Sequence, residues 1–325
     1  MLIAGYDAVL SDLDGVVYAG PGAIEGAIES LGRLAGAGVE LAYITNNASR
    51  SPGAVAEHLR DLGAPATAER VFGSADAGSD LLAGLIGPGG RVLVVGSGYL
   101  RDCVAARGLR PVGAASDRPD AVIQGFDPAL GWSDLAQASY AVAGGAVWVA
   151  TNTDLTIPRA EGIAPGNGAL VQAVAAATGT VPHVAGKPEP RLFHRAAERL
   201  RSARPLVVGD RLDTDILGGN RAGYATAVVF TGIDSPRSVL AARHAERPDF
   251  LLNDLTDLYR PYPAVEASGA GFACGDARAT ADGGLLRVDG SPEDLDAWRA
   301  ACAAWWSAHP RADAPTTPEP EFTAG

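Results

Sequence analysis

Short apolar runs alternate with longer segments rich in alanine and leucine from the start of the chain to about residue 260. The short runs predict buried strands at Ala8–Ser11, Glu40–Ile44, Arg91–Val95, Ala121–Gln124, Val147–Ala150, Leu206–Val208 and Thr226–Phe230. The longer segments, mostly bounded by Gly, Pro, Ser or Asp, predict helices at Ala23–Ala37, Pro52–Leu62, Leu100–Arg107, Trp132–Ala143, Gly168–Ala177 and Pro190–Arg201. This alternation predicts parallel sheets covered by helices on both faces, and its elements exceed what one compact sheet holds. We therefore expect two α/β layers.

The chain changes character after about residue 260. Residues 261–290 are rich in Gly, Pro, Ala and Asp, and a Ser-Pro-Glu-Asp sequence at 291–294 is typical of a helix start. An apolar stripe at helical spacing follows, formed by Leu295, Trp298, Cys302 and Trp305. This stripe must bury against the main body or against a second copy of the chain, which leaves a homodimer open. Residues 310–325 contain four prolines and no apolar period, so we expect disorder there.

Composition narrows the class of protein. The chain has 325 residues, of which 47% are hydrophobic and 20% charged, as in globular proteins. A net charge of −12 and a pI near 4.8 argue against binding to nucleic acids or anionic membranes, which needs basic patches. An acidic protein that binds phosphate groups has to supply local cations, either a metal ion or a few placed side chains.

Cysteine usage and the first residues indicate a compartment. Cys103, Cys274 and Cys302 are far apart and fit neither a zinc site nor a disulfide framework. No basic segment with a long apolar run follows Met1, and nothing approaches the ~18 consecutive apolar residues of a membrane span. We therefore expect a cytoplasmic protein with idle, reduced thiols.

Two aspartates follow the first predicted strand. Asp12 and Asp14 stand two residues apart, and positions i and i+2 of an extended chain point the same way. Gly15 supplies the turn that leaves the strand. Paired carboxylates repel each other unless a cation joins them or one is protonated, so the pair suggests a magnesium ion and phosphate chemistry. The same letters also occur in turns and calcium loops.

Three more segments carry candidate chemistry. Thr45, Asn46 and Asn47 end the second predicted strand, where a hydroxyl and backbone N–H groups suit phosphoryl oxygens; Ser49 or Ser51 would equally serve as a helix cap. Lys187, between Gly186 and Pro188, is the only lysine among 26 basic residues. An otherwise arginine-only chain that retains one lysine suggests a site that requires a compact point charge.

The fourth segment follows the predicted strand Leu206–Val208. Asp210 is placed as a hard oxygen ligand for magnesium, and Asp215 suits the orientation of metal-bound water or of Lys187. Asp213 is better explained as a solvated turn residue or a helix cap. Three of the four segments end predicted strands, and ligands of open α/β sheets bind at the carboxyl ends of strands. The four segments therefore predict one phosphate site.

A dinucleotide-dependent oxidoreductase is an alternative from another class. It is suggested by the apolar run Val92–Val95 followed by Gly96, Ser97 and Gly98. The glycine-rich fingerprint requires a third glycine at position 101, which is Arg101, so the motif is broken.

The four segments resemble the motifs of the haloacid dehalogenase-like (HAD) phosphatases, matched here by Asp12 to Val16, Thr45, Lys187 and 209–215. Further segments resemble the branch of NagD-type and 4-nitrophenylphosphatase-like enzymes, namely 45–47, 150–154, 165–169 and 186–188. Thr153 departs from that branch, in which proline is frequent at this place. The resemblance covers about residues 5–260 and does not extend to the tail.

The resemblance implies a Rossmann-like α/β core with an inserted cap. The core would be residues 1–78 and 184–262, and the α/β cap would be residues 79–183. A C-terminal extension with one amphipathic helix would cover 263–309, and the tail 310–325 would be disordered. Asn152, Asp154 and the turn at 165–168 would then lie on or near the cap, where they either shape the substrate site or build the fold.

The same resemblance implies a magnesium-dependent reaction at Asp12. Asp12 would be the nucleophile and Asp14 the proton carrier. The carboxylates of Asp12 and Asp210, with the backbone carbonyl of Asp14, would hold Mg2+, and Asp215 would support this site. Thr45 and Lys187 would stabilise the phosphoryl oxygens, and Asn46 and Asn47 would also contact the substrate.

The implied substrate is a small phosphate ester. The chain is similar to members of this branch that hydrolyse glycerol 3-phosphate and carry an extra C-terminal region, which implies a polyol or sugar phosphate. A nucleoside monophosphate or pyridoxal phosphate is the alternative. A non-catalytic phosphate sensor is a further alternative, against which the complete set of motif residues argues.

Overall fold

The computed structural model describes residues 1–159, 161–311 and 318–323. The strands are β1 (Ala8–Ser11), β2 (Tyr18–Ala19), β3 (Gly22–Ala23), β4 (Glu40–Thr45), β5 (Val71–Gly73), β6 (Arg91–Val95), β7 (Arg110–Val112), β8 (Ala121–Gln124), β9 (Val147–Ala150), β10 (Thr156–Arg159), β11 (Gly162–Pro165), β12 (His183–Val184), β13 (Pro205–Gly209), β14 (Ala225–Val229), β15 (Phe250–Leu252), β16 (Val265–Ser268), β17 (Gly271–Cys274), β18 (Ala277–Asp282), β19 (Leu285–Asp289) and β20 (Pro320–Thr323). The helices are α1 (Ala27–Arg33), α2 (Pro52–Asp61), α3 (Ser74–Ile86), α4 (Gly98–Ala106), α5 (Trp132–Ala143), α6 (Asn167–Thr178), α7 (Arg191–Leu200), α8 (Leu217–Ala222), α9 (Pro236–Leu240) and α10 (Leu295–Ala308).

The chain divides into two compact units, Met1–Leu41 with Arg199–Gly325, and Ala42–Glu198. In the first unit, β15, β14, β13 and β1 lie side by side in that order, and their pairings are all parallel. Every residue of β1 and β13 is buried, as expected for strands covered on both faces. The carboxyl ends of these strands share one edge of the sheet, which prepares the place for a ligand.

A second sheet in this unit occupies the region after residue 260 that is rich in Gly, Pro, Ala and Asp. Strands β16 to β19 form an antiparallel meander, and β20 adds to β19 in parallel. Helix α10 packs on this sheet, and the four residues of its predicted stripe are buried. Their cluster also includes Val228 of β14, Val239 of α9 and Leu251 of β15. The stripe therefore buries against its own chain, which removes the sequence argument for a homodimer.

Alternating small residues explain why sequence reasoning missed this meander. In β18, Ala277 and Ala279 are buried while Arg278 and Thr280 are exposed, so alanine occupies the positions where an aliphatic period would reveal a strand. The tail also differs from the expected disorder, because Pro320–Thr323 forms β20, and the Phe322 ring lies 5.1 Å from that of Trp298. The rest of that prediction, at 312–317 and 324–325, lies outside the described residues.

The first predicted helix is shorter than expected. Helix α1 starts at Ala27 instead of Ala23, because Gly22–Ala23 pairs with β2 in a hairpin. Gly26 then takes a left-handed conformation (φ 73°) that a helix interior does not allow. The other predicted helices and strands form within a few residues of their expected bounds.

The second unit is a parallel sheet with helices on both faces. Its strands follow the order β12, β9, β8, β6, β7, and all pairings are parallel. Alternate residues face opposite layers: Val92 packs with α3 and α4, whereas Leu93 and Val95 pack with α5 and α6. This arrangement confirms the predicted α/β class with doubly wound parallel sheets.

The predicted cap, residues 79–183, lies within the second unit. That unit also contains the parallel pair β4 and β5, which the predicted boundaries assign to the core. The domain boundaries at 78, 183 and 262 therefore stay a prediction.

All three cysteines are buried and free of disulfides, as predicted. Burial raises the pKa of Cys274 to about 12, so this thiol stays protonated and unreactive at neutral pH. None of the helices in the described part of the chain combines the length and the apolar character that a bilayer crossing needs.

We expect Leu286→Ala to destabilise the first unit by about 2 to 5 kcal/mol, because Leu286 is fully buried in the core shared by the two sheets. Urea unfolding followed by tryptophan fluorescence measures this loss. Leu285→Ala is the matched control, since the neighbouring Leu285 is only half-buried. Equal losses for the two variants would contradict the shared core.

Candidate active site

The first predicted pair of aspartates lies just beyond β1. The N–H of Asp12 donates to the carbonyl of Val208 (2.9 Å), which extends the parallel pairing one residue past the strand. Asp12 is half-buried and Asp14 is exposed. Gly15 turns the chain with φ 81°, and its N–H donates to the carbonyl of Tyr18 (2.9 Å). Both aspartates therefore emerge at the carboxyl end of the strand, as the sequence predicted.

Asp210 follows β13 and is almost fully buried, with 1% exposure. Its Oδ2 accepts a hydrogen bond from the N–H of Ile233 (2.8 Å). Two glycines leave room for this carboxylate, because a Cβ atom at Gly15 or Gly232 would fall 2.3 or 2.0 Å from Oδ2. The backbone thus closes tightly around the Asp210 carboxylate.

Asp215 lies in a π-helical turn, Leu212–Ile216, that leads into α8. It is 1% exposed, and its Oδ2 accepts from the N–H of Arg211 (3.3 Å). A Cβ atom at Gly209 would fall 2.1 Å from the Cβ of Asp215, so this glycine permits the turn to pack on the strand end. Asp213 is exposed and pairs with Arg211 at 3.0 and 2.9 Å, which fits its expected place as a solvated turn residue.

Three carboxylates of the first unit converge. One oxygen from each of Asp12, Asp210 and Asp215 lies within 4.8 Å of the other two. Carboxylates this close repel one another strongly, and a divalent cation removes that repulsion. Carboxylate oxygens are also the donors that Mg2+ prefers. This set of three carboxylate donors therefore fits a magnesium ion.

Sequence reasoning missed the loop after β14. The hydroxyl of Thr231 donates to the carbonyl of Gly15 (2.6 Å), and the carboxylate of Asp234 accepts from the N–H of Leu212 (2.7 Å). The N–H of Asp234 in turn donates to the carbonyl of Asp210 (3.0 Å). This loop ties together the segments that carry the three carboxylates. Its signal was present in the sequence, because Thr231, Asp234 and Ser235 closely follow the predicted strand.

The other predicted residues lie in the second unit, around the end of β4. Thr45 is 4% exposed, and its Oγ1 accepts from the N–H of Asn47 (3.1 Å). Asn47 is exposed, and its Oδ1 accepts from the N–H and the hydroxyl of Ser49, both at 2.8 Å. Ser51 caps α2 by accepting from the N–H of Ala54 (3.2 Å). The turn after β4 thus makes a hydrogen bond to the Thr45 hydroxyl.

Lys187 lies beside Asn46 in the same unit and is buried, with 3% exposure. Its Nζ donates to the carbonyl of Ile44 (3.5 Å). Its backbone N–H donates to Oδ1 of Asn46 (2.8 Å), and its carbonyl accepts from Nδ2 of Asn46 (3.1 Å). The predicted residues thus form two groups: three carboxylates in the first unit, and Thr45, Asn46 and Lys187 in the second.

The glycine-rich segment after β6 has a structural explanation. Ser97 caps α4, since its Oγ accepts from the N–H of Leu100 (3.1 Å). A Cβ atom at Gly96 would fall 2.9 Å from a methyl group of Leu100 and 3.0 Å from the carbonyl of Gly125, so close packing requires glycine here. Capping and packing together explain this segment without a dinucleotide.

Comparison with known proteins gives the family of this chain. Residues 9–110 match the family described as haloacid dehalogenase-like hydrolase, and residues 184–258 match the family described as HAD-hydrolase-like. The chain is 43% identical over 311 residues to the D-glycerol 3-phosphate phosphatase of Mycobacterium tuberculosis, across 93% of this chain and 86% of that protein.

Solved structures give the same result. The glycerol phosphate phosphatase of M. tuberculosis in complex with magnesium superimposes with a TM-score of 0.88 at 41% identity, covering 99% of this chain and 95% of that one. The 4-nitrophenylphosphatase of Thermotoga maritima has a TM-score of 0.73 at 27% identity, covering 80% and 99%. The chain therefore belongs to the haloacid dehalogenase-like hydrolases, as a phosphatase of the NagD-like branch.

Proposed function

We propose that this chain is a Mg2+-dependent phosphomonoesterase that hydrolyses glycerol 3-phosphate or a closely similar polyol or sugar phosphate. The observation that carries the proposal is the convergence of the Asp12, Asp210 and Asp215 carboxylates within 4.8 Å of one another. The substrate is inferred from the relatives, because the glycerol 3-phosphate phosphatase of M. tuberculosis matches across 93% of this chain.

Asp12 and Asp210 would hold Mg2+ with the backbone carbonyl of Asp14, while Asp215 would orient ligands of the ion. When bound, Mg2+ would neutralise the repulsion between an anionic nucleophile and an anionic ester.

Asp12 is the proposed nucleophile. A carboxylate oxygen of Asp12 attacks the phosphorus atom, the bond from phosphorus to the ester oxygen breaks, and an aspartyl-phosphate forms. Water then attacks this phosphorus and releases inorganic phosphate and the free carboxylate. The backbone hydrogen bond to Val208 fixes the origin of the Asp12 side chain at the strand end.

Asp14 is the proposed proton carrier. It protonates the leaving alkoxide in the first step and removes a proton from the attacking water in the second. Its exposure suits this alternation, because the group has to meet both the leaving group and water. Thr45 and Lys187 would stabilise the phosphoryl oxygens by a hydroxyl donor and a point charge. Asn46 and Asn47 would also contact the substrate.

The cytoplasm is the proposed location, because an acidic chain whose three thiols are buried and free fits a reducing compartment.

We expect Asp12→Asn to lower kcat for 4-nitrophenyl phosphate by at least about 1,000-fold, because an amide cannot form the acyl phosphate. Steady-state assays with Mg2+ measure the loss, with mass spectrometry to exclude deamidation. Asp213→Asn is the matched control, since Asp213 is exposed on the same edge and should leave kcat nearly unchanged. Retention of more than about a thousandth of the activity by Asp12→Asn would contradict the nucleophile assignment.

We expect chelation with EDTA to abolish hydrolysis and added Mg2+ to restore it. Asp210→Asn should raise the Mg2+ concentration for half-maximal activity by at least about tenfold, since it removes one charged ligand. Titration of activity against Mg2+ measures this shift. An Asp210→Asn protein with the Mg2+ dependence of the wild type would contradict the proposed ligand set.

We expect the highest kcat/KM for glycerol 3-phosphate in a panel that also contains sugar phosphates, nucleoside monophosphates and pyridoxal phosphate. Release of inorganic phosphate gives a common readout for the whole panel. Best turnover of a nucleotide or of pyridoxal phosphate would overturn the substrate while leaving the phosphatase intact. Tight binding without hydrolysis of any ester would favour a phosphate sensor instead.

A further inference from the structure

The main chain of Lys187 is held by a side chain. The amide of Asn46 accepts from the N–H of Lys187 at 2.8 Å and donates to its carbonyl at 3.1 Å. The loop packs so tightly here that a Cβ atom at Gly186 would fall 2.4 Å from Oδ1 of Asn46. Asn46 therefore hydrogen-bonds both the N–H and the carbonyl of Lys187, as a neighbouring β-strand would.

The orientation of the Asn46 amide is determined by Asp154. Nδ2 of Asn46 donates to both carboxylate oxygens of Asp154, at 2.9 and 3.1 Å. A carboxylate only accepts hydrogen bonds, so it requires the NH2 end of the amide on its side. With the amide reversed, its carbonyl oxygen would face the carboxylate, and its NH2 group would face the N–H of Lys187. Asp154 thus selects the orientation that fits Lys187.

Further hydrogen bonds hold this pair in place. The carbonyl of Asn46 accepts from the hydroxyl of Ser74 (2.6 Å) and from the amide of Asn152 (2.7 Å). Oδ1 of Asn152 accepts from the N–H of Asp154 (3.2 Å), and the carbonyl of Asn152 accepts from the amide of Asn167 (2.7 Å). Asn46, Ser74, Asn152 and Asn167 are all buried, so each broken contact would leave a polar group unsatisfied.

We propose that Asp154 is a positioning residue that acts through Asn46 to place the ammonium group of Lys187 for phosphate binding. This inference rests on the proposed function of Lys187. The sequence left open whether 150–168 shapes the substrate site or builds the fold. On this proposal, Asp154 of that segment serves the reaction by positioning Lys187. Asp154 itself does not have to touch the substrate.

A double-mutant cycle tests the proposal. We expect Asp154→Ala to lower kcat/KM for 4-nitrophenyl phosphate by roughly 10- to 100-fold, because small displacements of a catalytic group cost about this much. In a Lys187→Ala background the same substitution should cost less than about threefold, since the group that it positions is already absent. Asp154→Asn, which keeps the size and one acceptor oxygen, should lose less than Asp154→Ala.

Controls separate positioning from folding. Asp134→Ala is the matched variant, because Asp134 lies in the same unit and accepts only from a backbone N–H, that of Gly131 (2.8 Å), among its described hydrogen bonds. It should keep the wild-type kcat/KM. Thermal unfolding of each variant checks the fold, and Asp154→Asn replaces Asp154→Ala if the latter does not fold. Where turnover of Lys187→Ala is too slow, calorimetric binding of inorganic phosphate gives the same cycle.

Equal losses from Asp154→Ala in both backgrounds, or no loss in the wild-type background, would overturn the proposal. A wild-type protein that hydrolyses no phosphate ester in the presence of Mg2+ would contradict the proposed function instead, and this result is seen before any variant is compared. The phosphate-binding cycle still tests the positioning of Lys187 in that case.

Discussion

The mutual repulsion of three carboxylates is the constraint on which the first unit depends. Asp12, Asp210 and Asp215 present oxygens within 4.8 Å of one another, two of them on nearly inaccessible side chains. Folding alone disfavours such a cluster, because like charges held this close repel one another. The strand ends, the close glycine contacts and the loop after β14 impose it nevertheless. A fold that holds these like charges together is suited to a divalent cation, which would remove their repulsion on binding.

In the second unit, the buried charge is the positive one of Lys187, and it is held differently. Lys187 is the chain's single lysine and is 3% exposed, and the neutral amide of Asn46 hydrogen-bonds its backbone N–H and carbonyl. Asp154 contributes indirectly, since its carboxylate accepts hydrogen bonds from the Asn46 amide. Lys187 therefore carries the positive charge, while Asn46 and Asp154 hold its backbone in place. The backbone of Lys187 is held in this way while its Nζ donates to the carbonyl of Ile44.

The C-terminal sheet is part of the first unit's core and not an appendage. Residues of α10 and of β17–β19 share one hydrophobic cluster with β14, β15 and α9. β14 and β15 belong to the parallel sheet whose edge carries the carboxylates, so α10 and the C-terminal sheet pack against that parallel sheet. The stability of the carboxylate cluster is therefore linked to residues far from it in sequence.

Local patterns determined much of this protein. The apolar runs predicted the parallel strands. Asp12, Thr45, Lys187 and Asp210 could be predicted as site residues because strand ends and rare residue types are visible in the sequence. Tertiary structure decided the rest. The meander of β16–β19 is built on alanines whose burial depends on a distant helix. The hydrogen bonds that hold Lys187 join residues more than 100 positions apart in sequence. Such contacts leave no periodic signal, because each partner looks ordinary until the fold brings them together.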